Sequence, residues 1–352
     1  MNVRVFLLAI FWANQALTQG FAGLGTEAQG FSIPDPDYDI TFPQDHGAHP
    51  DFRIEWWYLT ATLEAEDGRA FGVQWTLFRS ALRPEEGEGW DGAQVYLGHA
   101  GLTTAETHYR SERFARGGIG QAGVVAEPFT AFIDDWEMRG EGLDLQQLSL
   151  FARGMDFSYD LDLTADGPII FHGQEGYSVK SPQGQASHYY SQPFYRVTGT
   201  LTLPEGDVEV TGNGWLDREW SSQPLASDQE GWDWFSLQFA DGARLMGFGL
   251  RGLETVFTSA TWIGPEFRLL GGADFLQRQP RGAGLSGDDG LLKSAVHPAY
   301  TPRCTPRSYR FAHRNEGKGR VLCARRDGRS SRIASPVCCP GISRNWPWAR
   351  FS

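Results

Sequence analysis

No cysteine occurs in the first 303 residues of this 352-residue chain. That absence excludes a disulfide framework, a thiolate metal site and a cysteine nucleophile from most of the sequence. There is no Gly-x-Ser-x-Gly elbow either; Ser178, in "GYSVKS", lacks the second glycine. A secreted hydrolase stays open as a class but has no motif behind it. Runs of Ala, Leu, Glu and Lys that favour helices are scarce, and no strand–helix alternation appears, which disfavours a doubly wound fold. No segment beyond the N-terminus is long and apolar enough to cross a bilayer as a helix.

Cations are scarce in the body and crowded in the tail. Residues 1–275 hold 16 Lys and Arg against 39 Asp and Glu; residues 276–352 hold 15 against 4. An acidic body argues against nucleic acid as a partner, because phosphate binding requires clustered cations. From Leu276 the periodic pattern collapses into Arg, Pro and the cysteines Cys304, Cys323, Cys338 and Cys339, whose spacing fits no zinc pattern. One reading is a solvated, disordered basic extension. The other is out-of-frame sequence, favoured because it interrupts a repeat that has only begun.

At the other end, "MNVRVFLLAIFWANQALTQGFAGLG" has Arg4, then an apolar run from Val5 to Ala13, then small residues. This reads as a secretory signal over residues 1–25, which implies a periplasmic or secreted protein.

What the sequence has in plenty is aromatic residues in alternation. Residues 26–50 form an extended lead-in. In "EWWYLTATLEAEDGRAFGVQWTLFRSAL", Trp57, Leu59, Ala61 and Leu63 share one face, as do Phe71, Val73, Trp75 and Leu77. Asp67-Gly68 between them is a strong hairpin signal. A second unit, "WDWFSLQFADGARLMGFGLRG", repeats the plan with Asp241-Gly242 at its turn. Further strands are expected at 94–103, 130–138, 147–151, 157–164, 169–171, 194–203 and 208–214. The expectation is an all-β protein of two antiparallel domains, at 26–190 and 191–275, the second incomplete.

Two places could carry chemistry. "DHGAHPDFRIEWWYLT" crowds His46, His49, Arg53, Glu55 and Trp56 together with Asp45 and Asp51. Gly47 and Pro50 forbid a comfortable His-x-x-His helix, so a metal role is weakly specified. The plainer reading is structural: the histidines anchor the lead-in, and Glu55 pairs with Arg53 or with an arginine across the barrel. No cofactor is expected. The second place is divided between "ASHYYSQP" and "GNGWLDREWSSQP". Residues two apart on a strand face the same way, so His188 with Tyr190, and Trp215 with Asp217, can each project into a shared cavity. An acid among rings would have its pKa raised by desolvation. It could then protonate an alkene while aromatic faces stabilise the cation. The competing reading pairs Asp217 with Arg218 or Arg196 and treats the aromatics as core. Trp57, Trp75, Trp220, Trp232 and Trp234 are candidates to line a ligand pocket.

The stretches "FPQDHGAHPDFRIEWWYLTATL", "VYLGHAGLTTAETHYRSERFARGG", "SHYYSQP" and "GNGWLDREWSSQPLASDQEGWDWFSLQFADGARLM" together resemble the AttH-type, carotenoid 1,2-hydratase-like family. The resemblance runs from about Phe42 to Leu270. It implies two lipocalin-like β-barrels, export, a hydrophobic isoprenoid or lipid ligand, and an ABC-type transporter as a possible partner. Carried over by motif, the hydratase branch's site falls on His188, Tyr190, Trp215 and Asp217. The two aromatics are exchanged in kind relative to that branch, and "REWSS" follows where it has a His-Asn type continuation. A hydro-lyase acting through Asp217, with His188 orienting the acid or activating water, and a non-catalytic lipid carrier are the two leading expectations.

Overall fold

The computed structural model describes residues 29–223, 229–252, 256–267, 269–271 and 293–294. The signal-like segment 1–25, the four cysteines and all of the 276–352 tail except Lys293–Ser294 lie outside these residues.

Alternation along the chain becomes two antiparallel sheets. The first contains β1 (Ile54–Ala65), β2 (Ala70–Ala81), β3 (Gln94–Thr103), β4 (His108–Arg116), β5 (Ala122–Ala126), β6 (Phe129–Ile133), β7 (Trp136–Glu141), β8 (Gln147–Arg153), β9 (Ser158–Ala165), the short β10 (Ile170–Phe171) and β11 (Tyr177–Val179), and the long β12 (Ala186–Leu203) and β13 (Gly206–Ser221). Its order is β4-β3-β2-β1-β13-β12-β9-β8-β7-β6-β5, with β10 and β11 paired to β12. The second sheet contains β14 (Gln229–Gln238), β15 (Arg244–Gly252), β16 (Val256–Ile263), β17 (Leu269–Gly271) and β18 (Lys293–Ser294), in the order β17-β16-β15-β14-β18. The fold is therefore all-β, with one large barrel-like sheet and a second that is small and incomplete, as expected.

The large sheet curls until its ends nearly meet. Gly98 on β3 lets this happen: a Cβ there would lie 2.7 Å from the Ile133 side chain on β6. Arg113 on β4 spans the remaining gap, 2.6 Å from Asp135 and 4.6 Å above the Trp136 ring. Inside, Trp57, Leu59, Ala61, Leu63, Phe71, Val73, Trp75 and Leu77 belong to one continuous apolar cluster. The alternation read from β1 and β2 thus marks a packed interior.

Both Asp-Gly turns have the same construction. Gly68 and Gly242 take φ of 82° and 92°, the left-handed region that glycine enters at no steric cost. In each turn the Asp carboxylate accepts from the backbone N–H two residues on, at 3.0 Å for Asp67 and 2.9 Å for Asp241.

Parts of the fold depart from expectation. The strand expected over 130–138 is a hairpin, β6 and β7, turned at Asp134 with φ 54°. β4 gave no signal, because "HYRSERFAR" mixes polar residues on both faces of an edge strand. The boundary placed between residues 190 and 191 falls inside β12, and the first sheet continues to Ser221.

Candidate functional site

β12 and β13 are buried on both faces near Asp217. The relative register of the two strands decides which side chains meet there. His188 pairs with Trp220, Tyr190 with Arg218, Ser191 with Asp217 and Tyr189 with Glu219. Directly opposed residues project from the same face. His188 and Tyr190 therefore point into the first barrel, while Trp215 and Asp217 point out of it, toward the second sheet. The expected single cavity of His188, Tyr190, Trp215 and Asp217 is corrected: the sheet itself separates the two pairs. Period two was legible within each strand, but the register between strands was not.

Trp215 reaches Asp217 as expected, while the groups that reach it from β12 are the neighbours of the expected ones. Tyr189 Oη donates to Asp217 Oδ1 at 2.7 Å, Ser191 Oγ at 2.5 Å and Trp215 Nε1 at 3.0 Å. Oδ2 is buried and has no hydrogen-bond partner among the described residues. Burial is the largest influence on this carboxyl and pushes its pKa up to about 7, against the three hydrogen bonds, which pull it down; the Glu219 charge adds a smaller upward push. The ion pair weighed for Asp217 is not formed: Arg218 lies on the other face with Glu55, and Arg196 pairs with Asp166 at 3.0 Å.

The second sheet completes the surroundings. Trp234 Nε1 donates to Tyr189 Oη at 2.9 Å, and its ring meets Tyr58, the β1 residue opposite Asp217, at 5.4 Å. His172 lies 2.7 Å from Ser191 Oγ through Nε2 and 2.9 Å from Thr261 Oγ1 on β16 through Nδ1. Burial, with the nearby Lys180 charge, lowers the His172 pKa to about 3, so the ring is neutral. Tyr189, Trp215, Met246, Phe248 and Leu250 form a second apolar cluster between the sheets, with Trp234 against it. On strand faces turned to this seam, Thr60 Oγ1 and Ser236 Oγ are also buried without partners among the described residues. Thr60 pairs with Trp215, and Ser236 shares a cross-strand row with Met246 and Thr261.

The inner face of the same strands holds a buried charge cluster. Glu55 accepts from Arg79 Nε at 2.8 Å and from Arg218 Nη2 at 2.7 Å, and its Oε1 lies 2.6 Å from His49 Nδ1. His49 Nε2 reaches Asp45 at 3.0 Å, and the ring stacks on Trp220 at 4.0 Å. Burial alone would lower the His49 pKa, but the Glu55 and Asp45 carboxylates outweigh it and hold it raised. Burial would likewise raise Glu55; Arg218, His49 and Arg79 instead hold it far below the usual carboxylate range. His46 turns the other way, to Tyr190 Oη at 2.7 Å and Leu143 O at 2.8 Å. His188 Nε2 accepts from the Asp35 N–H at 3.4 Å in the lead-in. The arginines on Glu55 come from β2 and β13. Arg53, by contrast, stacks on Phe31 at 5.1 Å and donates its backbone N–H to Ser222 Oγ.

The tryptophans do not share one pocket. Trp57 and Trp75 are wholly buried in the first barrel, and Arg218 lies 4.1 Å above the Trp57 ring. Trp56 points outward and meets Phe78 at 6.3 Å. Trp220 belongs to the charge cluster, Trp234 stands at Asp217, and the Trp232 side chain lies outside the described residues. Two surface concavities, of about 440 Å³ beside Phe114 and about 550 Å³ beside Asp160, involve none of the groups around Asp217. Sequence reasoning missed Tyr189, Ser191, Tyr58, His172 and Thr261. One signal was available: "ASHYYSQPFY" loses the alternation of polar and apolar residues, as a strand covered on both faces must.

A family model described as AttH-like matches residues 33–270. A solved Nitrosomonas europaea protein described as an AttH is 33% identical, with a TM-score of 0.60, covering 68% of this chain and 74% of that one. Kievitone hydratase from Nectria haematococca is 13% identical with a TM-score of 0.47, covering 68% of this chain and 72% of that one. CghA, solved with Sch210972, is 13% identical with a TM-score of 0.43, covering 69% and 68%. No curated protein sequence matches the chain.

Proposed function

The chain belongs to the AttH-like family, and from that premise we propose that it is an exported protein that takes a hydrophobic isoprenoid or lipid ligand between its two sheets and hydrates a carbon–carbon double bond by acid catalysis. The observation that carries this reading is Asp217. It is a carboxyl group buried among Tyr189, Trp215 and Trp234, with one oxygen unpartnered among the described residues and a pKa pushed up to about 7. Such a group holds its proton near neutrality.

The step balances within water and ligand. Asp217 Oδ2–H gives its proton to one alkene carbon, and the π pair becomes the new C–H bond. Facing rings stabilise the cation at the other carbon. Water adds there, and its surplus proton returns to the Asp217 carboxylate. Thr60 and Ser236, whose buried hydroxyls have no partners among the described residues, are suited to hold that water or a polar group of the ligand. The first barrel does not suit the role, since its interior is filled by its own apolar cluster. His188, formerly the candidate to orient the acid, is on the wrong face to do so.

A second reading has its own support. Asp217 is covered on every side by protein, which suits a carrier that encloses a lipid without altering it, delivering it to an ABC-type transporter. One experiment separates the two. Isoprenoid alkenes are incubated with the protein in ¹⁸O-labelled water, and retinol fluorescence reports binding. Hydrated product with the wild type, none with Asp217→Asn and equal retinol affinity for both is the expected result. Equal turnover by both proteins overturns the catalytic role of Asp217. Retinol binding with no turnover by either leaves the carrier.

A further inference from the structure

Two indole groups at Asp217 can only donate hydrogen bonds, and they fix the direction of every other hydrogen bond around it. Trp215 Nε1–H occupies Oδ1 at 3.0 Å. Trp234 Nε1–H occupies Tyr189 Oη at 2.9 Å, so the tyrosine's own hydrogen turns to Oδ1, 2.7 Å away. An oxygen that already accepts two donors is a poor place for an acidic hydrogen. That hydrogen belongs on Oδ2, and Ser191 Oγ, 2.5 Å from Oδ1, must then donate to it as well.

Once Ser191 gives its hydrogen to Asp217, its oxygen is free to accept. His172 Nε2 lies 2.7 Å from that oxygen, so Nε2 carries hydrogen. A neutral imidazole with hydrogen on Nε2 has a bare Nδ1, and Thr261 Oγ1 at 2.9 Å supplies its donor. The chain Thr261 to His172 to Ser191 to Asp217 therefore has one consistent direction, and it begins on the second sheet.

We propose that His172 is a positioning residue: held as its Nε2–H tautomer, it turns the Ser191 hydroxyl onto Oδ1 and so keeps the acidic hydrogen of Asp217 on Oδ2. The second sheet contributes to the acid at two points, through Thr261 behind His172 and through Trp234 behind Tyr189. The charged and titratable groups facing this chain are Glu219 and Tyr189 around the carboxyl, Tyr58 across from it on β1, and Lys180 near His172. This inference rests on the reading of Asp217 as the acid, but its test requires no ligand, so either can fail without the other.

The test has two parts on the full chain. Ring ¹⁵N spectra of the wild type report the His172 tautomer directly. Nε2 should be the protonated nitrogen and Nδ1 the bare one; the reverse assignment overturns the proposal. The side-chain carboxyl ¹³C signal of Asp217 is then titrated in Ser191→Ala, in His172→Phe and in the double variant. Ser191→Ala should raise the midpoint by roughly one pH unit, the size of one hydrogen bond to a charged group. His172→Phe should raise it by less, and should add nothing in the Ser191→Ala background, because it acts through that hydroxyl. His172→Gln, which keeps a donor toward Ser191, should restore the wild-type midpoint and serves if the phenylalanine variant does not fold. Additive shifts, or no restoration by glutamine, contradict the proposal.

Discussion

Tyr190 and Asp217 are one cross-strand pair apart and face opposite sides of the same sheet. That relationship divides two neighbouring tyrosines into different tasks. Tyr189→Phe removes a donor from Asp217 and should raise the carboxyl titration by about one pH unit. Tyr190→Phe removes the contact with His46 and should cost about 1 kcal/mol of stability while leaving that titration in place. Carboxyl ¹³C titration and denaturant unfolding of both variants check the division. A titration shift in Tyr190→Phe would place both rings at the acid and refute it.

Glu55 is the centre of the inner charge cluster, between Arg79, Arg218 and His49. Glu55→Gln leaves two buried guanidinium groups without their counter-charge. The expected loss is about 3–5 kcal/mol, the range for breaking a buried pair from one side. Urea unfolding measures it; a loss below about 1 kcal/mol would mean the cluster is solvated like a surface pair.

Asp217 should make the fold less stable as pH rises. Its folded pKa, about 7, lies above the ordinary aspartate value of 3.8. The folded state holds the proton more tightly through that window, so stability falls between those two values and levels off above the folded pKa. Asp217→Asn removes the penalty. Its melting temperature should exceed that of the wild type at about pH 8, with a gap that closes toward about pH 4. A constant gap across that range would contradict a shifted Asp217.

Five histidines act in the opposite sense. Burial lowers His46, His99 and His188 to about 4 and His172 to about 3, from 6.5, and it lowers His108 as well. Below 6.5 the unfolded chain takes up protons that these rings refuse, so each loses stability as pH falls toward its folded pKa. His49, raised by Glu55 and Asp45, contributes stability that is complete below 6.5 and is lost as pH rises through its folded value. Over the range 6.5 to 5 the five lowered rings outnumber Asp217 and His49, and the net expectation is loss of stability as pH falls through it. Melting curves across that range show it; a flat profile would require these rings to be solvated.

How much of this was legible in the sequence depends on how many strands a feature involves. The Asp67-Gly68 and Asp241-Gly242 turns, and the apolar face of Trp57, Leu59 and Trp75, are local, and each was read correctly. Glu55 was legible as a buried carboxylate needing an arginine. Its partners Arg79 and Arg218 lie 24 and 163 residues away, so only the paired strands identify them. The acid itself, Asp217, was singled out. Its companion Trp215 was placed with it, but those on β12 were misplaced by one residue because an antiparallel register can be shifted without changing either strand's own pattern. The bulge between Gln192 and Tyr195 adds to the difficulty. Before it, the even residues His188 and Tyr190 face inward; after it, the odd residues Tyr195 and Val197 do. No rule of alternation applied along the whole strand finds both. His172 and Thr261 come together across 89 residues and two sheets, and nothing local marks either.

The central claim is an acid kept neutral in a dry, ring-lined seam. Difference infrared spectroscopy of the wild type against Asp217→Asn across pH tests it most directly. A protonated-carboxyl band assigned to Asp217, persisting to about pH 6 and lost with a midpoint near 7, is the result the geometry requires. An ionised Asp217 already at about pH 5 would contradict it, because a carboxylate charged that early is not desolvated.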